Sequence, residues 1–368
     1  MNALRQVRYH GENVVHTIPL PSLHRWPVHR SSADWLSISS SRYTYFPDLD
    51  LYLLSYFLIV VGMLRAPWRA GRSSAFILAG SALALFVIAA RIMFPPSGTQ
   101  INMITLPSQR GPRLLNRILN EQDVVLFGAQ VAPYLGAISP SERKSLDIKF
   151  SQTFSEMNTQ GATPLSPFLA TYLNQEHANE FDVVIAEPRS ETPPETGIIF
   201  LHGFGGNFTL QCWLIAKAGD HINALTVCPS TSPNGAWWNL QGQSILQETL
   251  TYLHQRGIER VYLAGLSNGA IGASRLADQL KDNLIGLILI SGADPDATMT
   301  GLPVLVLHGK YDERIPASLM ERYVSAAGPD TTYHLFEGDH FLLLKQADRV
   351  REVIVDWLSQ QESDSQGN

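Results

Sequence analysis

Only two cysteines, Cys212 and Cys228, occur in this chain of 368 residues. Their spacing fits no metal site, so cysteine-ligated metal does not organise the fold. They are expected to be buried thiols, with a single disulfide as the alternative, and they identify no compartment. Charge is scarce as well, with 16% of residues charged and 45% apolar. So little charge points toward membrane-embedded sequence. The net charge of −6 gives no basis for binding nucleic acid. No internal repeat divides the chain. Neither long apolar run starts near the N-terminus with a small-residue cleavage site, so a cleaved signal peptide is not expected.

What the chain does have is two uncharged runs, Leu51–Leu64 and Ser73–Ala90. The second approaches the roughly 20 residues that span a hydrocarbon core of about 30 Å. Tyr45, Phe46, Tyr52 and Trp68 lie where interfacial aromatics sit. Between the runs lie Arg65, Arg69 and Arg72, a short basic loop expected on the cytoplasmic side. Residues 49–94 are therefore predicted to form a two-helix transmembrane hairpin in the lipid bilayer. A pair of buried helices in a soluble domain is the alternative. A hairpin returns the chain to its starting side, which puts the tail and everything after about residue 95 outside the cytoplasm. Residues 1–48 lack sustained hydrophobic periodicity and are expected to be a mobile tail, or an over-extended start of the reading frame.

Pro95, Pro96 and Gly98 break the second run. Residues 95–180 are predicted to be a helical collar or a lid, with helices over 111–138, 140–158 and 167–174. Ser139-Pro140-Ser141-Glu142 is a helix start, with a capping hydroxyl, proline in the first turn and an acid at the positive end of the dipole. From Phe181 to about residue 360 short apolar strands alternate with helices, which predicts an α/β fold with a mostly parallel sheet covered on both faces. Residues 361–368 are expected to be a frayed polar end.

One stretch in that region carries chemistry. Val261–Ala264 has strand composition, Gly265-Leu266-Ser267-Asn268-Gly269 follows, and Ala270–Leu280 has a helical apolar stripe. Strand, Gly-x-Ser-x-Gly and helix together describe a nucleophile elbow. Glycine at 265 and 269 removes side chains that would clash in so tight a turn. The helix N-terminus behind Ser267 favours developing negative charge. An ordinary strand-to-helix turn is the bland alternative.

A serine hydroxyl needs a base, and the base needs an orienting group. His340 follows a late strand and is assigned as base, against a histidine that merely packs in a surface loop. His334, His254, His221, His202 and His308 are worse placed. Asp312, just past another apolar strand, is the preferred acid. Asp294 and Asp296 are its rivals, and Asp339 reads as a turn residue. The Gly-rich loop His202–Asn207 follows an early strand, and its Phe204 N–H is the expected partner of the Asn268 N–H in an oxyanion hole. The loop lacks the Gly-Lys-Ser/Thr ending of a nucleotide-binding loop. Trp237 and Trp238 are candidates to wall a substrate pocket, with core packing as the equal alternative.

Together these residues resemble the α/β-hydrolase family over roughly residues 181–360. The resemblance implies a Ser–Asp–His acyl-transfer enzyme needing no cofactor, with a small-molecule ester or acyl substrate. A peptidase or amidase using the same triad is one alternative, and a non-catalytic membrane-tethered interaction protein is another. The segment Ser291–Gly301, where many relatives insert a lid, is too short to hold one.

Overall fold

The computed structural model describes residue 93 and residues 100–134, 136, 138–161 and 165–366. The expected tail at 1–48 and, apart from Met93, the expected hairpin at 49–94 lie outside them. Among the described residues no helix is long and apolar enough to cross a membrane.

Eight strands form one sheet: β1 (Ile101–Leu106), β2 (Phe181–Ala186), β3 (Thr196–Leu201), β4 (Ala224–Pro229), β5 (Arg260–Leu266), β6 (Gly286–Ile290), β7 (Val304–Gly309) and β8 (Thr331–Phe336). Their order is β1-β2-β4-β3-β5-β6-β7-β8. Strands β3 to β8 run parallel, while β2 is antiparallel to both β1 and β4. The fold is thus α/β-hydrolase-like, with a mostly parallel sheet. Parallel strands are buried on both faces and read as continuous apolar runs. Thr196-Gly-Ile-Ile-Phe-Leu201 is such a run, buried at every position.

Side chains alternate across the sheet. Ile198 and Phe200 enter one core with Trp213, Ile354 and Trp357, from helices α4 (Thr209–Gly219) and α9 (Ala347–Gln366). Ile199 and Leu201 enter the other core with Leu250, Ala273 and Met320. Those come from α5 (Leu240–Gln255), α6 (Asn268–Leu280) and α7 (Ala317–Ala327).

The segment before β2 departs from the expectation of a purely helical collar. It contains β1, which pairs with β2 from Ile101↔Ala186 to Leu106↔Phe181. Its helices are α1 (Glu121–Val131), α2 (Pro140–Thr159) and α3 (Phe168–Tyr172). Buried polar contacts hold this segment to the rest of the α/β unit. Asn116 Nδ2 donates to Asp182 Oδ2 over 2.6 Å, and the Arg113 guanidinium lies 3.3 Å from the other carboxylate oxygen. Glu121 accepts the N–H groups of Thr209 and Leu210 at 2.8 Å each, so a residue of α1 caps the start of α4.

Two further expectations are corrected. Cys212 on α4 and Cys228 on β4 are not thiols but form a disulfide, because helix and strand pack with the two Cα atoms 5.9 Å apart. The last helix does not fray at residue 361. After His340 the chain forms α8 (Leu342–Lys345), a break at Gln346, and α9 running to Gln366. Arg260 and Tyr262 hold Glu362 at 2.9 and 3.0 Å.

Candidate active site

The turn from β5 into α6 is as tight as its glycines suggest. A Cβ on Gly265 would lie 2.4 Å from the Gly269 carbonyl carbon, and one on Gly269 would lie 1.9 Å from Leu201 O. Ser267 takes φ 54° and ψ −117°, a strained conformation for a residue with a side chain. Neighbours impose it. Ser267 N–H donates to Ile290 O over 2.8 Å, and Ile271 N–H donates to Ser267 O over 2.9 Å.

His340 lies between β8 and α8, and Asp312 lies just past β7. These strands are parallel, so both loops and the elbow open at the C-terminal edge of the sheet. The His340 imidazole has Nε2 3.0 Å from Ser267 Oγ and Nδ1 2.7 Å from Asp312 Oδ2. The other Asp312 oxygen accepts the N–H groups of Arg314 and Ile315, each at 2.9 Å. Burial alone pushes this carboxyl up. The His340 hydrogen bond and charge, the Ile315 N–H and nearby His308 outweigh it and hold Asp312 below the ordinary aspartate value. An ionised Asp312 accepting Nδ1–H leaves Nε2 free to take the serine proton.

His308 is fully buried beside this pair. Its Nε2–H donates to Ile315 O over 2.9 Å, and burial holds its pKa below the usual histidine value. It therefore supports the acid loop as a neutral side chain. Sequence reasoning set it aside, and nothing local marks its role. The rival acids point elsewhere: Asp294 binds Arg275, and Asp296 lies 3.0 Å from Arg322. Asp339 organises its own turn, accepting Phe341 N–H over 3.0 Å.

The Phe204 loop abuts Ser267. A Cβ on Gly203 would lie 3.1 Å from Ser267 Cβ, and Gly205 and Gly206 take φ of 103° and 98°, conformations open to glycine. Asn207 fastens the loop by donating to Cys228 O over 2.8 Å and Ser230 Oγ over 3.0 Å. His202 is buried, with Nδ1–H donating to Gly203 O over 2.8 Å and Nε2 accepting Thr231 N–H over 3.2 Å. Burial lowers its pKa to about 4, so it is a neutral part of the frame. Asn268 begins α6, and its side chain donates to Asn234 O over 2.8 Å.

The two tryptophans separate. Trp237 is fully buried and walls no open pocket. It fills space that Gly242 and Gly272 leave open, where an added Cβ would sit 2.6 and 2.5 Å from it. Trp238 is half-buried, with the Arg275 guanidinium 5.0 Å from its ring centre. The segment after β6 carries no helix before β7, so it forms no helical cover. Among the described residues no group of three His, Cys, Asp or Glu side chains is placed to hold a metal ion.

No protein-family model matches the chain, and neither does any curated protein. Similar solved structures include an alpha-beta serine hydrolase homologue from Coxiella burnetii, with 20% identity, a TM-score of 0.40, and coverage of 49% of this chain and 92% of that one. A lidless a/b serine hydrolase from Xanthomonas campestris has 16% identity, a TM-score of 0.41, and coverage of 50% and 90%. Est1E from Butyrivibrio proteoclasticus has 14% identity, a TM-score of 0.43, and coverage of 50% and 95%.

Proposed function

We propose that the protein is a serine hydrolase that cleaves carboxylic esters through an acyl-enzyme on Ser267. One observation carries this reading: an unbroken hydrogen-bonded line from Ser267 Oγ through His340 to Asp312, at 3.0 and 2.7 Å. Ser267 Oγ attacks the ester carbonyl as its proton passes to His340 Nε2. Asp312 stabilises the imidazolium that forms. The proton then goes to the departing alcohol, leaving the acyl group on Ser267. Water, deprotonated by His340, releases the acid and restores the serine. The Phe204 and Asn268 N–H groups are assigned to the oxyanion, and each such donor contributes roughly 3 kcal/mol at the transition state.

The same reading anchors the chain in a bilayer through residues 49–94, with the catalytic domain extracytoplasmic. The arginine loop at 65–72 supports that orientation. The Cys212–Cys228 disulfide supports an oxidising compartment. A reporter fused to the C-terminus is expected to behave as extracytoplasmic, and cytoplasmic behaviour would reverse the orientation.

Assaying p-nitrophenyl esters beside aminoacyl amides tests the chemistry. Esters are expected to turn over faster, with turnover abolished in Ser267→Ala. Preference for the amides would make the protein a peptidase or amidase instead.

A further inference from the structure

The role of the helical segment ahead of β2 follows from one of its side chains. Glu142 lies in the first turn of α2, inside a complete capping box. Its Oε2 accepts Ser139 N–H over 2.7 Å, and its own N–H donates to Ser139 Oγ over 3.1 Å. The box fixes the carboxylate on the helix end. The remaining oxygen, Oε1, accepts from Arg314 Nη1 over 3.3 Å.

Arg314 sits where the two catalytic loops meet. Its backbone N–H donates to Asp312 Oδ1 over 2.9 Å. Its guanidinium lies 4.8 Å from the ring centre of Phe341, the residue after His340. One side chain thus spans the loop that holds the acid and the loop that holds the base. The acid loop needs an outer anchor. Tyr311 and Glu313 are exposed, and only Asp312 and Ile315 within residues 311–315 are buried. His308 grips the loop from inside through Ile315 O, and Arg314 grips it from outside.

We infer that Glu142 and Arg314 are positioning residues for the triad, so that α2 is a working part of the active site. Neither touches the substrate. They hold Asp312 against His340, and small displacements of a catalytic group cost large factors in rate. The inference rests on the serine-hydrolase reading above.

The test uses the full-length protein and a p-nitrophenyl ester. Glu142→Gln keeps the capping box, which accepts Gln, but removes the charge that faces Arg314. Arg314→Met removes the other partner. Each is expected to lower kcat about tenfold while KM changes less than about twofold. The double variant should be no worse than either single, because both break one link. Asp147→Asn breaks the Arg143–Asp147 pair on the same helix and should leave kcat unchanged. Wild-type kcat in both single variants, additive losses in the double variant, or an equal loss in Asp147→Asn would overturn the inference. Absence of Ser267-dependent turnover in the wild type would instead defeat the hydrolase reading itself.

Discussion

Trp237 donates its indole N–H to the carbonyl oxygen of His202 over 2.9 Å, placing a buried ring directly beneath the Phe204 loop. The indole and the His202 imidazole also meet edge-on, with centroids 5.2 Å apart. Trp237→Phe removes the donor and leaves a buried carbonyl without it. The expected cost is about 1–3 kcal/mol, read as a lower urea midpoint, accompanied by slower ester turnover. Trp238→Phe, at a half-buried position, should stay within about 0.5 kcal/mol. Equal effects from the two would contradict the assignment of Trp237 to the frame.

Gly269 should tolerate no side chain. The 1.9 Å approach of an added Cβ to Leu201 O is a clash with sheet backbone, which cannot rotate away. Gly269→Ala is expected to abolish soluble, active protein. Gly128, exposed on α1, has nothing within 4 Å of an added Cβ, so Gly128→Ala should stabilise by about 0.5–1 kcal/mol. Parallel measurements of soluble yield and melting temperature separate the two.

Glu121 gives the fold a pH dependence of definite sign. Burial raises its pKa from 4.5 to about 7, against the lowering effect of the Leu210 and Thr209 N–H groups and Ser166. Between those values the folded state binds more protons than the unfolded state, so stability falls as pH rises. The stabilisation from this group is complete below pH 4.5 and lost as pH passes about 7. The gap amounts to about 3 kcal/mol. Urea titrations across this range should show the fall in wild type and a flatter dependence in Glu121→Gln. Parallel curves for the two proteins would exclude this role.

The sheet was legible where strands are buried on both faces, because β3, β5 and β7 read as short apolar runs beside helical periodicities. Ser267 and Asp312 could be picked out because each follows such a run at its C-terminal end, and His340 because it follows the last strand, β8. Strand β1 could not be. It has six residues, and its partner β2 lies beyond three helices. The disulfide was hidden because only the packing of α4 on β4 brings Cys212 to Cys228. Trp237 stayed open between pocket wall and core because a loop position says nothing about which way the indole turns, and Gly242 and Gly272 decide that from two helices. Glu142 was visible as a helix cap, but its bond to Arg314 joins residues 172 positions apart.

Reaction of the full-length protein with a fluorophosphonate probe, followed by mapping of the modified peptide, bears most directly on the central claim. An activated serine should be phosphonylated at Ser267, with labelling lost in Ser267→Ala and strongly slowed in His340→Ala. No labelling of the wild type, or labelling that persists in Ser267→Ala, would contradict it.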